Sequence, residues 1–136
     1  MKLRIRENSL RLRLTKSEVA KIGEGGAVQE TVEFGGEPAQ RLIYAIEVKN
    51  NLENSTAVFD AGSITVFIPK AQAVKWAQTN QIGIEAEKSI DGEKTLRILI
   101  EKDFSCLEPR AGEEDADTFA HPFQNGSGKS DTLNSF

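Results

Sequence analysis

From Leu3 to Leu14 the chain reads LRIRENSLRLRL, with aliphatic and basic side chains in turn. A strand sends alternate side chains to opposite faces, so a period of two reads as extended structure with unlike faces. Leu3 and Ile5 share one face, with Arg4 and Arg6 behind them. Glu7-Asn8-Ser9 turns the chain, and Leu10, Leu12 and Leu14 then alternate with Arg11 and Arg13. A hairpin that buries its aliphatic side chains gathers all four arginines on its other face.

The next residues, Thr15-Lys16-Ser17-Glu18, form a capping box. The Thr15 hydroxyl accepts from the Glu18 amide while the Glu18 carboxylate reaches back. The helix this starts is expected to run to about Ile22 and to stop at Gly23, Gly25 and Gly26. AVQETVEF (27–34) reads as a strand, GGEP as a turn, and RLIYAIEVK (41–49) as the returning strand. The unit is ββαββ.

Displaced by 54 residues, the pattern recurs. Leu10, Leu12 and Leu14 fall on Ile64, Val66 and Ile68, and Thr15-Lys16 on Pro69-Lys70, a second helix start with proline near its first turn. Val28 falls on Ile82, and Leu42, Tyr44 and Ile46 fall on Leu96, Ile98 and Ile100. The apolar phase agrees through two strands, a helix and two strands, and the body reads as a tandem duplication. One copy is too small to hold a core alone, so the halves are expected to share one. The fold class is α+β. The duplicated units, 1–49 and 56–103, are expected to form one eight-stranded antiparallel sheet or barrel with two short helices.

Opposite the aliphatic face, the first unit carries Arg4, Arg6, Arg11, Arg13, Arg41, Ile43 and Glu47. The second carries Val58, Phe67, Glu85, Glu87, Arg97, Leu99 and Glu101. The arginines Arg4, Arg6, Arg11, Arg13, Arg41 and Arg97 are candidate anion ligands, since guanidinium forks match carboxylates and phosphates. Glu85, Glu87 and Glu47 are the weak candidates for a metal; cross-strand salt pairing explains the same residues more simply. Ile43, Val58, Phe67 and Leu99 make the face semi-apolar, so a cover is expected: the C-terminal segment, a second subunit or a barrel's far wall.

Residues 1–21 hold seven cations against Glu7 and Glu18, and residues 103–136 hold seven anions against Arg110 and Lys129. Such opposite ends attract. Residues 104–123 are expected to strap across the body, anchored by Phe104, Leu107, Phe119 and Phe123. The strap brings Glu113, Glu114, Asp115 and Asp117 toward the arginines. Residues 124–136 read as a flexible tail.

Other signals weigh less. GSGKS (126–130) has Phe123 where a phosphate-binding loop needs its first glycine, and only six residues follow Ser130. Cys106 and His121, the single cysteine and histidine, lack metal-ligand spacing. The net charge of −4 and the shortage of aromatics argue against nucleic acid. One cysteine, no signal peptide and no apolar run of membrane-spanning length suggest a cytoplasmic protein.

With MKLRIRENSLRLRLTKSEV at one end and FSCLEPR followed by EEDADTF at the other, residues 1–123 resemble a small bacterial family known only as a domain of unknown function. The resemblance implies a bacterial protein and assigns no catalytic residue. At fold level the duplicated unit looks like the triphosphate-tunnel (CYTH-type) enzymes. That likeness implies a wide eight-stranded barrel lined by basic groups for phosphates and acidic groups for a divalent metal. Those enzymes begin with Glu-x-Glu-x-Lys, and this chain has Lys2-Leu3-Arg4-Ile5-Arg6 in that place.

The reading as a whole is a non-enzymatic binding module, without a cofactor, whose arginine face takes an anionic small molecule or an acidic protein segment. The alternatives are a Mg²⁺-dependent phosphohydrolase of tunnel type and a structural domain that forms homodimers. No membrane partner is expected.

Overall fold

In the computed structural model, which describes residues 1–104 and 117–119, every expected strand and both helices form. The strands are β1 (Lys2–Arg6), β2 (Ser9–Leu14), β3 (Ala27–Glu33), β4 (Arg41–Lys49), β5 (Thr56–Asp60), β6 (Ser63–Pro69), β7 (Gly83–Asp91) and β8 (Lys94–Lys102). The helices are α1 (Lys16–Gly23) and α2 (Lys70–Gln78).

Local chemistry explains the joints. Both halves of the Thr15/Glu18 capping box are present at the start of α1. At its end the Gly25 amide donates to Ile22 O and the Gly26 amide to Lys21 O, with Gly25 at φ +86°. This is the Schellman arrangement, which needs a left-handed residue and so favours glycine. α2 has no side-chain cap and starts behind Pro69.

The strands assemble otherwise than expected. They form two four-stranded sheets, ordered β1-β2-β8-β7 and β3-β4-β6-β5, not one eight-stranded sheet. Both sheets are mixed. β2 pairs with β8 in parallel, Leu12 opposite Ile100, and β4 pairs with β6 in parallel, Ile46 opposite Val66. The hairpins are antiparallel as read, but each sheet takes one hairpin from each half. The central strands of a sheet run the same way, because β2 and β8 both point toward the helical end.

The registers also correct the alignment of the halves. Val28 pairs with Ile46, yet Ile100, 54 residues beyond Ile46, pairs with Ile84 and not Ile82. β7 lies two residues later than a constant displacement puts it. Ile82 is 41% exposed. Its carbonyl accepts from Trp76 Nε1 at 3.0 Å and from the Lys102 amide at 3.1 Å.

One core lies between the sheets. Leu12, Leu14, Ile46, Val66, Ile68, Ile98 and Ile100 meet there, and Val19, Ile22, Ala73 and Trp76 of the helices close it at the end where β2 and β6 finish. Burial of aliphatic side chains at this density is the main stabilising term. Among the described residues charged groups, not ladders, bridge the sheet edges. Between β1 and β3 the Met1 ammonium donates to Glu18 Oε2 at 2.8 Å and to Glu30 Oε2 at 3.3 Å. Between β5 and β7, Lys88 Nζ donates to Ala57 O at 2.7 Å. Among the described residues no helix is long and apolar enough to cross a membrane.

Candidate functional site: the outer face of the β1-β2-β8-β7 sheet

Alternation and register together place the charged residues on the outside of the first sheet. One row across it reads Lys2, Arg13, Glu101, Gly83; the next Arg4, Arg11, Leu99, Glu85; the next Arg6, Ser9, Arg97, Glu87. Four of the arginines expected to lie together, with Arg97, do share this face. The face is segregated by charge. A concavity of about 210 Å³ is lined by Lys2, Leu3, Arg4, Arg11 and Arg13. A second, of about 280 Å³, lies over β7 and β8 and is lined by Glu85, Ala86, Glu87, Arg97, Ile98 and Leu99.

The basic half has a buried anchor. Arg11 is 2% exposed and Glu101 4%, although both lie on an outer face. Arg11 Nε donates to Glu101 Oε1 at 2.5 Å with Nη2 as near, and Arg13 Nε donates to the same oxygen at 3.1 Å. Burial pulls the Arg11 guanidinium below the usual arginine value; the bond and charge of Glu101 oppose this, and Arg13 and Arg4 add to it. An arginine starts so high that it stays charged. Two guanidinium groups thus share one carboxylate oxygen. Gly83 makes room beside Glu101, since a Cβ there would lie 2.8 Å from Ile100 O and 3.2 Å from Glu101 Cβ.

Arg41 and Glu47 do not join this face. They lie on β4, on the outside of the second sheet, where Arg41 Nε is 3.2 Å from Glu33 Oε1 and Glu47 is in register with Ala27 and Phe67. A pair of packed sheets has two outer faces, and the sequence pattern merges them. The semi-apolar residues divide likewise: Leu99 stays with the arginines, while Ile43, Val58 and Phe67 go to the second sheet. Lys49 Nζ lies 4.7 Å from the Phe67 ring centroid.

The three weak metal candidates are thus split between two sheets, Glu85 and Glu87 on one and Glu47 on the other. Among the described residues no three of His, Cys, Asp and Glu come together around a metal-sized gap. The aliphatic core, and not the arginines, lines the interior between the sheets, so the arginines do not line a tunnel.

Asp117, expected among the arginines, caps α1 instead. Its Oδ1 accepts from the Ser17 amide at 3.0 Å and its Oδ2 from Ser17 Oγ at 2.6 Å. Those bonds hold the carboxyl below its ordinary value. Phe119 follows, its amide donating to Asp103 O at 2.8 Å and its ring 5.8 Å from that of Phe104. Lys102, 6% exposed, donates to Thr79 O at 2.8 Å and stands 5.3 Å from the Phe119 centroid. Its burial lowers the amine below the usual lysine value. The rest of the expected strap and tail, with Cys106, Glu113, Glu114, Asp115, His121 and GSGKS, lies outside the described residues.

Sequence reasoning missed the burial of Arg11, the Lys102 contact and the close approach at Gly83. The clue to the first was Glu101, whose position opposite Arg13 depends on a parallel pairing with no local signature.

No curated protein and no solved structure matches the chain, so neither comparison lends the triphosphate-tunnel likeness support. A family model does match, over residues 1–123. The chain belongs to DUF7009, a family of unknown function.

Proposed function

We propose that the protein is a binding module whose basic half-face, Lys2, Arg4, Arg6, Arg11 and Arg13, takes an anionic ligand or an acidic protein segment. The observation that carries the reading is the concavity between β1 and β2, lined by four of these cations, of which Arg11 and Arg13 share Glu101 and Lys2 lies 3.2 Å from Asp103. Guanidinium groups held by a buried partner are already ordered, so less side-chain entropy is lost when a carboxylate or phosphate docks. Arg97 stands at the border with Glu85 and Glu87, which repel an anion and confine it to the β1–β2 side. Single-cysteine usage suits a cytoplasmic setting, and the bacterial origin implied by the sequence belongs to the same reading.

The duplication is the historical part of this proposal. Lys2–Arg13 pairing on the first hairpin has its counterpart in Thr56–Phe67, each 54 residues on. Leu12–Ile100 has its counterpart in Val66–Ile46, with the halves exchanged. Where the first unit has Arg4, Arg11 and Arg13, the second has Val58, Thr65 and Phe67. On this view one copy acquired the basic face and the other did not.

The experiment is a titration with labelled hexaglutamate and with inorganic triphosphate, at low and at near-physiological ionic strength. Arg4→Glu with Arg6→Glu is the informative variant, since both side chains are exposed and the core is untouched. Saturable binding that salt weakens and the double variant abolishes supports the reading. Binding unchanged by the charge reversal, or absent with both probes, overturns it.

A further inference from the structure

At the end of the sheets opposite the helices, a second kind of opening lies between them. It is lined by Leu10, Ala57, Val58, Phe59, Ile64 and Leu96, and encloses about 280 Å³. Phe59 at its lip is 70% exposed. Beside this apolar space stands a half-buried ammonium group. Lys88 pairs across the β7–β8 ladder with Leu96, which lines the pocket, and its Nζ donates to the carbonyl of Ala57, which also lines it. Among the described residues no carboxylate forms an ion pair with Lys88. An ammonium carries three donors, and the Ala57 carbonyl takes one of them.

We infer that this pocket binds a small aliphatic carboxylate, its chain between the sheets and its head group on Lys88. The two donors that the Ala57 carbonyl leaves over can take the two oxygens of a carboxylate at the edge of the apolar space. The lining itself supplies no polar side chain, and Lys88 stands beside it, so the occupant is apolar except at one end. The volume admits about nine heavy atoms, at the roughly 30 Å³ that one water takes in the liquid. The eight carbons of octanoate are of that size, with the carboxylate oxygens outside on Lys88; a membrane lipid is not. This site is separate from the arginine face, and its test does not depend on that reading.

The test is a titration of the full chain with octanoate, followed by backbone amide resonances, with 1-octanol as the uncharged control. Octanoate is expected to shift β5, β6 and β8 resonances saturably. 1-Octanol is expected to shift the same residues at least about five-fold more weakly, the scale of one partly shielded ion pair. Lys88→Gln should bring octanoate down to the level of the alcohol, Lys88→Arg should keep the preference, and Phe59→Ser should weaken both. Arg4→Glu with Arg6→Glu should change neither. If Lys88→Gln disturbs the fold, the comparison of acid with alcohol in the Lys88→Arg protein decides. Absence of shifts, shifts centred on the arginine face, or equal binding of acid and alcohol overturns the inference.

Discussion

Gly23 of α1 and Ala77 of α2 meet so closely that a methyl group on Gly23 would lie 2.5 Å from the Ala77 Cβ. The two positions are 54 residues apart, the displacement at which the apolar pattern of the sequence recurs. Gly23→Ala is expected to destabilise by about 1–3 kcal/mol through overpacking, despite alanine's better helix propensity. Adding Ala77→Gly should recover part of the loss. Urea unfolding of the two single variants and the double variant measures the coupling, and additive effects would refute the contact.

Removing one member of a buried charge pair strands the other. Glu101→Leu leaves Arg11 and Arg13 without their shared acceptor and is expected to cost about 3 kcal/mol. Arg11→Met leaves Glu101 with Arg13 and should cost less. Denaturant midpoints of the two variants give the order, and the reverse order would contradict the two-to-one arrangement.

The helix caps differ in kind. Thr15→Ala removes a side-chain cap and should cost about 1 kcal/mol. Lys70→Ala, in the first turn of a helix with no side-chain cap, should change stability by less than about 0.5 kcal/mol. Thermal melts of both proteins check this contrast.

Asp117 gives a pH signature. Its carboxyl titrates lower in the folded protein than the ordinary 3.8, because Ser17 donates to the ionised form. A carboxyl lowered on folding stabilises the protein above the unfolded value, and that increment disappears as pH falls through the folded value. Asp117→Ala should therefore be less stable than the parent at neutral pH and should converge on it as pH drops well below 3.8. A constant gap at all pH values would show that the bonds to Ser17 do not depend on charge.

The hairpins, both helices and the inward aliphatic rows were legible because each rests on neighbours in sequence. Alternation identifies faces, and Thr15 with Glu18 announces α1. What lies between the halves was not legible. A period of two says nothing about whether β2 meets β8 in parallel. It is also unchanged by a slip of two residues, so Ile82 stood in for Ile84 without disturbing the pattern. Arg41 was placed with Arg11 because both lie opposite an aliphatic row. Only the division into two sheets separates them. The burial of Arg11 depends on its acceptor 90 residues away, Glu101.

β2 ends at Leu14, yet its parallel neighbour is β8, which begins only at Lys94. On the ribosome the opening hairpin has no lateral partner until nearly the whole body has emerged. The nascent chain must keep an arginine-and-leucine ribbon soluble throughout that wait, and its alternating cations, each next to an aliphatic residue, discourage it from pairing with a stranger's edge.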